Sequence, residues 1–304
     1  MLTQTFFSPS RPGRVVVLGS RGFVAGHLLA QLARDGVPAV GFGSTDLDLT
    51  APGADAGLAS RLQASDALVF VSALTPDKGK DIATLMRNLR MGEAVAGALA
   101  ARPVAHVVYI STDAVYRDDA NPVSERSCCQ PASFHGVMHM ARERMLVETL
   151  RSPGVPLAVL RPSLLYGPGD THNGYGPNRF LRLALEGKPI TLFGGGEERR
   201  DHVFIGDVVR LTALVLAHRS TGVLNIATGR STPFAEAARL AVEVSGSRSD
   251  IQPSARANPI THRHFDVSAV LAAFPTFRFT PLGDGLTDTR LAFARERAGT
   301  EERP

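Results

Sequence analysis

Arg14-Val-Val-Val-Leu-Gly-Ser-Arg-Gly-Phe-Val-Ala-Gly-His-Leu-Leu29 opens with a four-residue apolar run, Val15 to Leu18, that stops at Gly19. Its β-branched content suits a strand buried on both faces. From Phe23 the period becomes helical, with Val24, Leu28, Leu29 and Leu32 on one side and Asp35-Gly36 as the stop. Between strand and helix lie Gly19 and Gly22. Glycines there allow a sharp turn and let a diphosphate approach the helix N-terminus, where free N–H groups and the positive dipole end favour an anion. The spacing is G-x-x-G-x-x-A, which departs from the G-x-G-x-x-G dinucleotide fingerprint, so a purely structural strand–helix turn stays open as a reading. Its place as the first strand favours the coenzyme reading, because doubly wound folds bind dinucleotides there.

The composition is that of an ordinary globular enzyme: 304 residues, 44% hydrophobic, 20% charged. A net charge of +4 without any dense basic run argues against nucleic acid as a partner and fits a small anionic substrate. The two cysteines, Cys128 and Cys129, are adjacent and provide neither a disulfide framework nor a metal spacing. The first fourteen residues lack a signal-peptide core, and no 18-residue apolar run follows, so the expectation is a cytoplasmic protein with no membrane partner.

Val37 to Phe42 reads as a second strand. An NAD site usually carries an acid near the end of that strand, but here the place is taken by Gly41-Phe-Gly-Ser44. Arg21, in the glycine turn, could instead meet a 2′-phosphate together with Ser44, which tilts the choice between NAD and NADP towards NADP; a solvated surface arginine is the other reading. Asp46 to Leu49 reads as a short strand end, residues 55–63 as a helix, and Asp66 to Val71 as a strand ending in Ser72-Ala73. A helix over Ile82 to Ala101 has a small-residue run for close packing on the sheet. Val104 to Ile110 is a strand leading into Ser111-Thr112-Asp113, followed by a helix from Pro131 to Leu150 and a strand from Leu157 to Leu160. This alternation predicts an α/β fold, a Rossmann-type doubly wound parallel sheet. Later elements are helices at 178–186, 207–217, 233–246 and 266–273 and strands at 190–193 and 223–227. The expected division is a coenzyme domain over residues 1–166, to which the chain returns at about 200–230, and a smaller α/β C-terminal substrate-binding cap from 167–199 and 231–304.

Several separated strings resemble the extended short-chain dehydrogenase/reductase family, in particular its nucleotide-sugar epimerases, dehydratases and 4-ketoreductases. They are Leu18-Gly-Ser-Arg-Gly-Phe-Val24, Asp48-Leu49, Tyr109-Ile-Ser-Thr-Asp-Ala-Val-Tyr116, Pro122-Val-Ser-Glu125 and Arg161-Pro-Ser-Leu-Leu-Tyr-Gly-Pro168. Phe193-Gly-Gly-Gly196, Arg199-Arg-Asp-His-Val-Phe-Ile-Gly-Asp207, Leu224-Asn-Ile-Ala-Thr-Gly229 and Phe265-Asp-Val267 follow in family order. The resemblance implies that Gly19, Gly22, Phe23 and Val24 line the coenzyme diphosphate, that Asp48 and Leu49 meet the adenine, and that Ser72 and Ala73 meet the adjoining ribose. It places Pro162 and Leu164 near the nicotinamide, Thr112 on the reacting sugar oxygen, and Asn178 and Arg200 on the nucleotide and diphosphate of the substrate. The planar fork of Arg200 suits diphosphate oxygens, its alternative being an ion pair with Asp201 or Asp207. Family members often pair through helices matching 82–101 and 132–150, which implies a homodimer.

One departure concerns the reaction itself. The family's Tyr-x-x-x-Lys pair matches His135 and His139, in Phe134-His-Gly-Val-Met-His139. Three readings are open. His135 can move the proton while His139 holds the nicotinamide ribose, because imidazole exchanges protons near neutrality and the i, i+4 spacing puts both rings on one helix face. The site can have lost hydride chemistry, leaving a silent NAD(P)- or nucleotide-sugar-binding protein. Or the pair can bind a metal, given a third ligand such as His172 or Asp113. The first is adopted, with no metal. Asp113 stands where the family's dehydratases carry an Asp-Glu pair, but Ala114 replaces the Glu; Asp113 is therefore kept as a substrate contact, and dehydration is disfavoured against 4-epimerisation or 4-keto reduction.

Overall fold

The computed structural model describes residues 1–256 and 259–301. In chain order, β1 (Val15–Leu18), α1 (Phe23–Arg34), β2 (Ala39–Phe42), α2 (Ala54–Ala59), β3 (Ala67–Phe70), α3 (Ile82–Ala101), β4 (His106–Ile110), α4 (Phe134–Arg151) and β5 (Leu157–Pro162) form the first part. There follow β6 (Leu164–Tyr166), α5 (Pro177–Leu185), β7 (Ile190–Phe193), β8 (Arg199–Phe204), α6 (Ile205–Ala217) and β9 (Gly222–Ile226). The last are β10 (Ser231–Pro233), α7 (Phe234–Ser245), β11 (Ile251–Ser254), α8 (Ser268–Ala273) and α9 (Leu282–Glu301).

β1 and β3 are continuous apolar runs, and every residue of β1, β3, β4 and β5 is buried because both faces of these strands are covered. With β2 and β9 they make one parallel sheet in the order β2-β1-β3-β4-β5-β9, in which Val15 pairs with Ala39 on one side and Ala67 on the other. One core packs α1, α6 and α8 against a face of this sheet; the other packs α2, α3 and α4 against the opposite face. The strand order reverses at β1, so a crevice opens at the carboxyl ends of β1 and β3, where Gly19 and Ser72 lie.

The cap is built around Tyr166, Phe180, Phe234 and Leu286. It holds the three-stranded sheet β10-β8-β6 and the pair β11-β7, with α5, α7 and α9. The chain returns to the main sheet through α6 and β9. A part expected in the cap lies elsewhere: Ala269, Val270, Phe274 and Phe277, in and after α8, pack into the first core. The last residues of the expected cap, 302–304, lie outside the described ones.

Asp46 to Leu49, expected as a strand end, is a turn. Asp46 Oδ2 accepts from the Gly43 N–H at 2.8 Å and Asp48 Oδ1 from the Thr50 N–H at 2.8 Å, local bonds that compete with strand pairing. The helix expected from Pro131 begins at Phe134, because the Ser133 hydroxyl caps it by accepting from the Gly136 N–H at 3.2 Å. Among the described residues no helix is long and apolar enough to cross a membrane.

Candidate active site

Gly19 has φ +90°, and a Cβ there would sit 3.0 Å from the Ser72 backbone, so only glycine permits β1 and β3 to end this close together. Gly22 caps α1 without any side-chain bond, and the first turn of α1 has no acid. Its N–H groups are thus left for an outside acceptor, which a dinucleotide diphosphate fits. Above it, His27 Nε2 is 2.8 Å from the Pro168 carbonyl, which ties α1 to the loop after β6. Phe23 is half-buried against His27, and Val24 is in the core.

At the end of β2 the Arg21 guanidinium donates to the Thr45 hydroxyl, next to the exposed Ser44. The nearby acid, Asp46, accepts from the Gly43 N–H through Oδ2 at 2.8 Å. Asp48 is exposed, and its bonds to Thr50 hold its carboxyl below the ordinary range. Leu49 is 6% exposed, and its side chain is part of the core. Ala73 is half-buried beside Ser72, Pro162 closes the buried end of β5, and Leu164 is 40% exposed beyond it.

Helix α4 brings the two imidazoles together, with ring centroids 4.6 Å apart at 77°. His139 is buried, and its Nδ1 lies 2.7 Å from the Tyr109 hydroxyl of β4. His135 is half-buried; its Nδ1 is enclosed and has no hydrogen-bond partner among the described residues. Burial, reinforced by the charge of Arg142, pushes His135 down to about 4, and His139 is also held well below the ordinary imidazole range, again chiefly by burial. Both rings are neutral at pH 7. Thr112 is half-buried in the turn after β4, its hydroxyl accepting from the Ala114 N–H at 3.2 Å. Gly136 lets α4 approach this turn, since a Cβ there would be 2.2 Å from the Ala114 carbonyl oxygen.

Two buried charges behind the histidines were not singled out from the sequence. Arg142 Nη1 donates to the Ser72 carbonyl at 2.7 Å and Nε to the Asn88 carbonyl at 2.9 Å, while its guanidinium stacks on Phe70. It thereby links α4 to the glycine bend through Ser72. Glu143 pairs with Arg161, and accepts from the Ser111 hydroxyl at 2.5 Å; Arg161 Nη1 donates to the Tyr116 hydroxyl at 2.9 Å. The available signal was an Arg-Glu pair three and four residues after His139, on the same buried side of the helix, where a charge needs a partner.

On the substrate side, Asp113 pairs with Arg263 at 3.2 Å, and Arg263 Nη2 donates to the Asp113 carbonyl at 2.6 Å. Burial outweighs the nearby guanidiniums of Arg263 and Arg200 and lifts the Asp113 carboxyl above its usual range. Arg200 is paired with Glu198, not with Asp201 or Asp207, and also donates to Thr261. Asp201 instead accepts from the Thr228 and Gly229 N–H groups, and Asp207 accepts from Thr280. Asn178 is buried with its amide committed to both backbone groups of Gly167 and to Asp170, so it supports the loop over the crevice. Phe193 is 53% exposed at the end of β7 with its ring 4.7 Å from that of Tyr175. A pocket of ≈ 420 Å³ reaches His135, Ser133 and Phe134 from the β3–α3 loop and includes Lys80, Asp81 and Asn88. Among the described residues no three His, Cys, Asp or Glu side chains are grouped to hold a metal; His172, one third ligand considered above, is 3.0 Å from Asp77.

A crevice at the strand-order reversal, walled by a glycine bend and an uncapped helix N-terminus, defines a dinucleotide-binding α/β protein. The model of the NAD dependent epimerase/dehydratase family matches residues 15–227, and the chain belongs to that family. It is 25% identical to an uncharacterized UDP-glucose epimerase, YtcB, of Bacillus subtilis (strain 168), over 90% of this chain and 96% of that one. A structure of MoeE5 in complex with UDP-glucuronic acid and NAD is 26% identical and superposes with a TM-score of 0.82, covering 93% of this chain and 100% of that one. UDP-glucose 4-epimerase of Thermus thermophilus, solved with NAD, shares the fold at 21% identity and a TM-score of 0.80, over 92% of this chain and 99% of that one.

Proposed function

We propose that this chain is an NAD(P)-dependent enzyme that acts on a UDP-sugar by hydride transfer at a ring carbon, with 4-epimerisation ahead of 4-keto reduction. The observation that carries the reading is the edge-on pair His135 and His139, on the helix that Gly136 lets approach the turn of Thr112 and that Arg142 joins to the glycine bend through Ser72. Gly19, Gly22 and the first turn of α1 hold the diphosphate of the coenzyme, and Ser72 and Ala73 its ribose. The coenzyme, when bound, accepts and returns the hydride. Thr112 holds the reacting sugar oxygen, His135 takes its proton, and His139 holds a ribose hydroxyl. Arg200 and Arg263 set a positive field around Asp113 for the substrate's diphosphate side, and the exposed ring of Phe193 offers a stacking face for the base.

The protonation state supports one of the two reactions over the other. A neutral imidazole is ready to take a proton from a hydroxyl, which is how an epimerisation begins; a ketone reduction needs the protonated ring, which is scarce at pH 7 when burial pulls the group to about 4. NAD bound in related proteins supports NAD here, whereas Arg21 beside Gly41-Phe-Gly-Ser44, a stretch with no acid, supports NADP. We further propose a homodimer formed through α3 and α4, with Ile82 and Met86 exposed on α3.

The chain has no tryptophan, so NADH or NADPH fluorescence reports binding against a low background. With UDP-glucose and UDP-glucuronic acid as probes, formation of the 4-epimer is expected, and His135→Ala should lower kcat by about 100-fold or more while leaving coenzyme affinity within about twofold. Coenzyme binding with no 4-epimer formed would move the chain to the class of silent binding proteins. The rate should be level above about pH 5 and fall as pH drops through about 4, where His135 takes up its proton. An optimum that instead rises towards acid would identify a reductase.

A further inference from the structure

We propose that Tyr109 is a positioning residue: its hydroxyl donates to His139 Nδ1 and so fixes the proton of His139 on Nε2. The role given to that tautomer rests on the reading of α4 as the coenzyme-facing helix, whereas the tautomer itself follows from geometry alone.

Tyr109 is 1% exposed, with its oxygen 2.7 Å from His139 Nδ1. Two orientations of this bond are conceivable. In one, Nδ1–H donates to the phenol oxygen and the phenol proton must find another acceptor. The other polar groups near the phenol are the Arg142 guanidinium, which has donors only, and the Glu143 carboxylate, whose oxygens are engaged by Ser111 and Arg161. Among the described residues no other acceptor stands at hydrogen-bond distance from Tyr109, so this orientation buries an unpaired hydroxyl proton. In the other, the phenol donates to Nδ1 and nothing is left over. The neighbourhood also disfavours a doubly protonated ring: Arg142 lies one turn on in the same helix, His135 packs edge-on, and the site is enclosed. His139 is thereby a neutral ring with an N–H at Nε2.

The family's ammonium would stand at this place, so its replacement is an uncharged single donor. Such a donor serves a hydroxyl oxygen, as on a ribose, but gives no net attraction to a phosphate. Tyr109 thus does for His139 what a backbone carbonyl or carboxylate does for many functional histidines: it chooses the nitrogen that faces the ligand.

The test uses the full chain labelled with ¹⁵N-histidine. Long-range ¹H–¹⁵N spectra at pH 7.5, assigned with His139→Gln, should show Nδ1 unprotonated and Nε2 protonated. In Tyr109→Phe the two forms should mix, and the KM for coenzyme should rise by about tenfold with kcat changed by less than about threefold, as for one lost neutral hydrogen bond. A wild-type spectrum with the proton on Nδ1, or an unchanged tautomer in Tyr109→Phe, overturns the inference. Should that variant fail to fold, the wild-type spectrum decides. Absence of turnover with the stated tautomer present would sink the epimerase reading and leave this one standing.

Discussion

His106, His135 and His202 are pushed by burial to about 4, about 4 and about 3. In the unfolded chain each would titrate near 6.5, so between pH 6.5 and about 4 the unfolded state binds more protons than the folded one. Stability is therefore complete above about pH 6.5 and is lost as the pH falls towards 4; on acidification from pH 7 to pH 5 each of these groups should cost on the order of 2 kcal/mol. Thermal unfolding measured across that range reads the effect directly. His202 is a separable part of it. Both of its nitrogens are buried without partners among the described residues, and its ring packs against Phe234 with centroids 5.5 Å apart. His202→Phe should raise stability by about 1–2 kcal/mol at pH 7 and shrink the acid-side loss, since an apolar ring of similar shape removes two unsatisfied groups. An unchanged acid slope would show that His202 finds partners in solution. At this scale the sequence showed the residue types, with His135 and His139 on one face, but not which of them are buried. Burial is set by elements distant in the chain, as Tyr109 of β4 is for His139.

Helix α4 shows how little an element needs to be changed to lose the site. A Gly→Ala change inside a helix ordinarily gains up to about 1 kcal/mol in propensity. At Gly136 the added methyl would meet the Ala114 carbonyl at 2.2 Å and the Pro131 ring at 2.7 Å, and overpacking of that kind costs about 1–3 kcal/mol. Gly136→Ala should thus be net destabilising in a denaturant melt and should lower turnover through displacement of Thr112, with coenzyme affinity less affected. A stabilised, fully active variant would show that the turn after β4 yields freely. The bounds of α3 were legible from its periodicity, Ile82 to Ala101 in both. The start of α4 was not, because a capping serine just after the proline decides it. β6 and β10 have only three residues each, too few for a period to register, and β8 opens on Arg-Arg-Asp, which reads as a loop until Asp201 is seen to accept from two backbone N–H groups.

In the whole molecule, the apolar positions left outside the two cores of the main sheet and the core of the cap include Ile82 and Met86, one turn apart on α3, and Phe134 at the start of α4. Light scattering or analytical ultracentrifugation should give a dimer, and Met86→Glu should shift it towards monomer, with a charge placed in an apolar contact. A wild-type monomer at micromolar concentration would remove the proposal. The sequence by itself determined the alternation of strand and helix, the glycine bend, and the family resemblance, because these depend on residues close together in the chain. Only the tertiary structure decided which groups meet: Asp113 with Arg263, Arg200 with Glu198, α8 with the first core, and Tyr109 with His139. Asp113 and Arg263 stand 150 positions apart and Tyr109 and His139 30, and no local periodicity encodes which charge or hydroxyl a buried group will find once the sheet has stacked its layers.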